Sequence, residues 1–142
     1  MTQRYMLDTN VVSHIMQGRD AALLARLSQI PVGQAVISSV TLAELEYGLH
    51  RKGQPARLKN ALFQVLLRVD VLPWDEPVAR CYGRLCCALE AQGVNLSDLE
   101  MMIAAHAVAT NTTLVSRDKA FQTVASIEPD KLLPNPFKLE VW

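Results

Sequence analysis

Short apolar runs alternate with longer stretches in which apolar residues recur every three or four positions. The first run, Tyr5-Met6-Leu7, ends at Asp8-Thr9-Asn10; Val11, Val12, Ile15 and Met16 then follow at helical spacing as far as Gly18. This pattern predicts a buried strand, a tight turn and a helix capped by Thr9 or Asn10. Asp20 opens a second helix carrying Leu23, Leu24 and Leu27, which Pro31 and Gly33 break. Ala35-Val36-Ile37-Ser38 reads as the next strand, and Thr41 as the start of a helix carrying Leu42, Leu45 and Leu49. Beyond Gly53 and Pro55, Leu58, Leu62, Val65 and Leu66 mark another helix, and Val69-Asp70-Val71-Leu72 a third strand.

Asp75 and Pro77 start a long helix through Val78, Tyr82, Leu85 and Leu89, ending at Gly93. Ser97 caps a helix through Met102, Ile103 and Ala107, and Thr113-Leu114-Val115-Ser116 is the fourth strand. The tail from Ile127, with Pro129, Pro134 and Pro136, reads as mostly irregular until an edge strand begins at Phe137. Strands alternating with helices imply a central parallel sheet of four or five strands with helices on both faces. A chain of 142 residues is enough for one such domain, taken as residues 1–142.

Composition narrows the function only by exclusion. Fourteen basic residues balance fourteen acidic ones, so a nucleic-acid partner would have to be held by a local patch or a bound metal. No apolar run is long enough to span a membrane, and the first strand follows without a signal-type segment, which points to the cytoplasm. Cys81, Cys86 and Cys87 share one predicted helix in no metal-binding spacing, so they read as reduced thiols in or near the core.

Four acidic positions stand where strands end or helices begin: Asp8, Glu44, Glu100 and Asp118. Ligands of open α/β sheets lie beyond the carboxyl ends of the strands, so these four carboxylates can gather at one edge. Such a cluster repels itself unless a divalent cation neutralises it, and oxygen donors suit Mg²⁺ or Mn²⁺. A metal held this way activates water for phosphodiester hydrolysis. Capping competes with this reading: Thr41-Leu42-Ala43-Glu44 and Ser97-Asp98-Leu99-Glu100 both fit the capping box, and Asp8 suits a cap.

Five segments in order carry a family resemblance: Met6-Leu7-Asp8-Thr9-Asn10, Ser38-Ser39-Val40-Thr41-Leu42-Ala43-Glu44, Leu72-Pro73-Trp74-Asp75, Ile103-Ala104-Ala105-His106-Ala107 and Leu114-Val115-Ser116-Arg117-Asp118. Together they resemble the PIN-domain VapC toxins from Tyr5 to about Phe121, with Leu139-Glu140-Val141-Trp142 similar to that family's closing segment. The resemblance implies a three-layer PIN fold and a Mg²⁺- or Mn²⁺-dependent endoribonuclease, with transfer RNA a common target. It also implies a homodimer held inactive by a VapB-type antitoxin. One departure stands out. The family carries Asp where this chain has Glu100, whose reach is about 1.5 Å longer; Asp98 is the alternative ligand. Thr9, Asn10 and Ser116 are expected to support the carboxylates, and Arg117, Lys119, Arg51 and Lys52, with Arg57 and Lys59 nearby, to meet RNA phosphates. His106, well beyond the first turn of its helix, is expected to be structural. Two rivals are a catalytically impaired, antitoxin-binding PIN protein and a phosphotransferase of the haloacid dehalogenase type. The second wants Asp-x-Asp after the first strand, and Asn10 holds that place.

Overall fold

The computed structural model describes residues 2–126 and 133–142. In chain order the elements are β1 (Tyr5–Leu7), α1 (Thr9–Gln17), α2 (Ala21–Gln29), β2 (Ala35–Ser38), α3 (Ser39–Arg51), α4 (Ala56–Arg68), β3 (Asp70–Leu72), α5 (Glu76–Ala91), α6 (Asp98–Thr110), β4 (Thr113–Val115), α7 (Lys119–Ala125) and β5 (Lys138–Glu140). The five strands form one parallel sheet in the order β3-β2-β1-β4-β5.

Adjacent residues on a strand point to opposite faces, and the three inner strands use this to build two cores. Leu7, Ile37 and Val115 pack with side chains of α1 to α4 on one face. Met6, Val36 and Leu114 pack with α5, α6 and α7 on the other. Helix α6 is buried on nearly every side, with Met101 and Ile103 through Val108 all buried. A helix that is apolar all round belongs between two layers, and its alanines let the sheet and α5 approach closely. Strand β3 is the opposite case: Asp70 and Val71 are exposed, as suits an edge.

The order of the strands fixes where a site can form. The chain builds β1, β2 and β3 outward, then returns through α5 and α6 to lay β4 on the far side of β1. The connections therefore diverge between β1 and β4, leaving a crevice beyond their carboxyl ends.

Three element boundaries differ from the sequence reading. Helix α1 begins at Thr9, so Asp8 holds the cap position, yet its side chain makes no capping bond. Helix α3 starts at Ser39 with Ser38 as the cap, its Oγ accepting the Val40 amide at 3.0 Å. Thr41 is therefore inside the helix and buried, and Glu44 stands in the second turn instead of the first. Helix α7 stands where the sequence reading places no element. The expected irregular segment around Pro129 falls in residues 127–132, outside the described residues. The cysteines are free: Cys81 is buried, Cys86 half-buried, and Cys87 faces solvent, away from the core expected for all three.

Candidate active site

Leu7 and Val115 are register partners at the ends of β1 and β4, so Asp8 and Ser116 emerge side by side at the crevice. Asp8 is only 6% exposed. Ser116 Oγ donates to Asp8 Oδ2 at 2.6 Å and accepts the Asp118 amide at 3.0 Å. One hydroxyl thus ties the carboxylate after β1 to the backbone of the carboxylate after β4. Burial pushes the Asp8 carboxyl above the usual carboxylate range, and the charge of Asp118 adds to this. The Ser116 hydroxyl and the amides of Thr9 and Asn10 oppose the rise. The charged form is costly at this position, and the positive end of α1 offsets part of that cost.

The other acidic residues are held separately. Thr9 Oγ1 donates to Glu44 Oε1 at 2.7 Å and lies 3.2 Å from Thr41 Oγ1. Because Ser38 caps α3, the capping role weighed for Glu44 is gone, and its carboxylate answers to Thr9, the neighbour of Asp8. Glu100 behaves differently: its Oε1 accepts the Ser97 amide at 3.1 Å, and Ser97 Oγ accepts the Glu100 amide at 3.2 Å, completing the capping box. Asp98 is exposed on α6, and its charge acts on Tyr82 and Cys86 of α5. Asp118 caps α7, its Oδ1 accepting the Ala120 amide at 2.9 Å. Among the described residues, no three His, Cys, Asp or Glu side chains stand close enough to form a ready-made metal cage. Asn10 is exposed in the first turn of α1.

His106 is structural. It is fully buried, with Nδ1 2.7 Å from Ser38 Oγ, and burial lowers its pKa to about 4.

Residues 5–127 match the PIN domain model. Over 128 residues the chain is 31% identical to ribonuclease VapC2 of Haemophilus influenzae, a match covering 89% of this chain and 96% of that protein. It is 30% identical to the tRNA(fMet)-specific endonuclease VapC of Shigella flexneri over the same shares. The structure of VapBC2 from Rickettsia felis bound to a promoter DNA fragment superposes with a TM-score of 0.82 at 27% identity, covering 99% of both chains. The chain belongs to the VapC branch of the PIN-domain family.

The cations of this VapC chain sort by what already holds them. Arg117, expected at RNA, donates from Nε to the Trp142 carbonyl at 2.7 Å and pairs with Asp20 at 2.7 Å. The Arg51 guanidinium lies 5.8 Å from the centre of the Tyr47 ring. Lys119 is exposed next to Asp118. Lys52 and Arg57, with Arg19, border a groove of about 430 Å³ between α1, α3 and α4. Its floor is Met16, Leu45, Leu49 and Leu58, and Thr9 and Glu44 stand at its wall. Sequence reading missed Arg19 at the groove and gave Asp20 only its helix-capping role. Both sit in the short turn between α1 and α2, and nothing in that local pattern names a partner far along the chain.

Proposed function

We propose that this chain is the metal-dependent endoribonuclease toxin of a type II toxin–antitoxin pair, hydrolysing phosphodiester bonds in structured RNA such as transfer RNA. The observation that carries it is the buried Asp8 carboxylate joined through Ser116 to Asp118, at the crevice between β1 and β4, with Glu44 held by the adjacent Thr9. All the donors are hard oxygens, which suits Mg²⁺ or Mn²⁺, and Mg²⁺ commonly takes one or two carboxylates and keeps several waters. A preformed cage of three protein ligands is therefore not required. Asp8, Glu44 and Asp118 would hold the ion, with Glu100 joining if it leaves its capping bond. When bound, such an ion activates water and offsets charge on the phosphate. The protein's own part is to keep the carboxylates aimed: Ser116 fixes the rotamer of Asp8, and Thr9 fixes that of Glu44.

Of the cations expected at RNA phosphates, Lys119, Lys52, Arg57 and Lys59 have no ion pair among the described residues. The groove beside Glu44 has an aliphatic floor and a cationic rim, which suits an amphipathic segment bearing carboxylates. We assign it to a VapB-type antitoxin, in keeping with relatives whose structures are VapBC complexes. A partner seated there would cover Lys52 and the approach to Glu44 together, which links binding to inhibition. A homodimer acting in the cytoplasm completes the reading; no described helix is long and apolar enough to cross a membrane.

The capping bond of Glu100 favours one second reading, an antitoxin-binding PIN protein impaired in catalysis. The purified chain incubated with bulk transfer RNA decides between them. Cleavage with Mg²⁺ or Mn²⁺ that stops in EDTA supports the ribonuclease; a folded, antitoxin-binding but inert protein supports the alternative.

A further inference from the structure

The loop joining β4 to α7 carries both Ser116, which grips Asp8, and Asp118. Three contacts hold this loop from outside the acidic centre. The Ser116 amide donates to the Glu140 carbonyl of β5 at 3.1 Å. Between Ser116 and Asp118, Arg117 donates from Nε to the Trp142 carbonyl at 2.7 Å and from its terminal nitrogen to Asp20 Oδ2 at 2.7 Å. Neither anchor is loose. Asp20 Oδ1 accepts the Leu23 amide at 3.0 Å, capping α2. The Trp142 ring sits 5.5 Å from that of Tyr5 on β1, under the Arg26 guanidinium at 5.2 Å, and Arg26 pairs with Glu140 at 3.2 Å.

We infer that Arg117 is a positioning residue, which ties the Ser116–Asp118 loop to α2 and to Trp142 so that Ser116 and Asp118 keep their aim, and is not a phosphate contact. The guanidinium already uses donors in two directions, on a carboxylate and on a carbonyl, and these two contacts set its orientation. The Arg117 side chain is 36% exposed and that of Asp20 28%, so the pair adds little to stability. Its consequence is geometric. A planar fork can satisfy two acceptors set apart in space, whereas a lysine ammonium acts as a point charge. Small displacements of groups around a reacting centre cost rate steeply.

The inference rests on the ribonuclease reading and is tested with Arg117→Lys, which keeps the charge and loses the fork. Asp20→Asn is the second variant: it keeps a good helix cap and removes the ion pair. Cleavage kinetics are measured on an RNA that the wild type cuts, and binding of fluorescein-labelled bulk transfer RNA is measured in EDTA. Arg117→Lys is expected to lose kcat by about ten-fold or more, and Asp20→Asn to lose a smaller factor in kcat. KM and RNA affinity should stay close to wild type in both. A lysine variant with wild-type kcat overturns the inference, as does weakened RNA binding with kcat unchanged. Should Arg117→Lys fail to fold, Asp20→Asn carries the same test. A wild type that cuts no RNA would sink the ribonuclease reading instead. Thermal melting then decides the clamp by itself, since Mg²⁺ should raise the melting temperature less in Arg117→Lys than in wild type, and an equal rise overturns it.

Discussion

Glu100 Oε1 accepts the Ser97 amide, so a metal can gain this carboxylate only if the cap releases it. Losing one bond of a capping box costs about 1 kcal/mol or less, which is small beside what a metal ligand gains. Glutamine and aspartate separate the two roles. Gln can reach back to the cap amide but carries no charge, so Glu100→Gln should melt within a few degrees of wild type and cleave RNA poorly. Normal cleavage by Glu100→Gln together with failure of Asp98→Asn would move the role to Asp98. Glu100→Asp should melt slightly earlier, because the shorter arm gives up the Ser97 amide, and should retain or raise cleavage. A large loss of activity with the fold intact would show that the site is built around the longer side chain. Residue-scale chemistry was readable in part. Asp8 and Asp118 announce themselves by following strands, and the Ser97–Glu100 box is a local pattern that formed as written. Thr41–Glu44 fits the same pattern and did not form, because Ser38, one residue inside the strand, caps α3 first. Two capping signals three residues apart compete, and the local sequence does not rank them.

At the scale of elements, α6 is threaded through the core and takes His106 with it. Ser38 Oγ accepts the Val40 amide and lies 2.7 Å from His106 Nδ1. Burial favours the neutral ring and lowers its pKa to about 4, with the charge of Asp75 and the Pro73 carbonyl opposing. The unfolded chain takes up this proton near pH 6.5 and the folded chain only near 4, so in that window the unfolded state binds more protons. Stability contributed here is complete above pH 6.5 and is lost as pH falls towards 4, by about 3 kcal/mol in all. Urea unfolding of wild type and His106→Asn between pH 7 and 4 measures it: the wild type should lose stability more steeply by about that amount. Parallel slopes would mean that His106 titrates normally. Element order and type were largely legible, since apolar periodicity separates strands of three or four residues from helices of nine or more. Helix α7 was not. It offers only seven residues, with Phe121 and Val124 as its buried positions, too few for a period to declare itself. Its start signal, Asp118, reads as a candidate ligand in the sequence, and the structure shows it capping α7.

Across the whole molecule, the return of the chain to β4 puts Asp8 beside Ser116 at the crevice. The expected sheet follows from alternating strands and helices. The order β3-β2-β1-β4-β5 and the ties from Asp20 and Trp142 to Arg117 depend on contacts between distant segments, which periodicity does not encode. The same limit applies to the basic residues. Their clustering in sequence suggested RNA, but tertiary partners have taken Arg117 and left Lys52 at a groove. If the groove is the antitoxin's seat, Leu45→Glu, which puts a charge on its floor, should weaken VapB-type binding by at least about ten-fold in a pull-down titration, since a buried unpaired charge is costly. Unchanged binding would place the partner elsewhere.

The central claim is that Asp8 and Asp118, tied through Ser116, are placed to hold a divalent ion, at a cost in the metal-free protein. Asp8 carries that cost most plainly, because its carboxyl is pushed up by burial and by Asp118. A raised carboxyl pKa means that ionised Asp8 destabilises the fold at neutral pH, so the contribution is favourable only below the ordinary carboxylate range and disappears as pH rises. Asp8→Asn keeps an oxygen for Ser116 and removes the charge. The decisive measurement is thermal melting of wild type and Asp8→Asn, first in EDTA and then in Mg²⁺, with RNA cleavage followed on the same samples. The account predicts that the mutant melts at the same temperature as wild type or higher in EDTA, gains less from Mg²⁺, and does not cleave. A mutant that melts much earlier in EDTA, or that still cuts RNA, would contradict it.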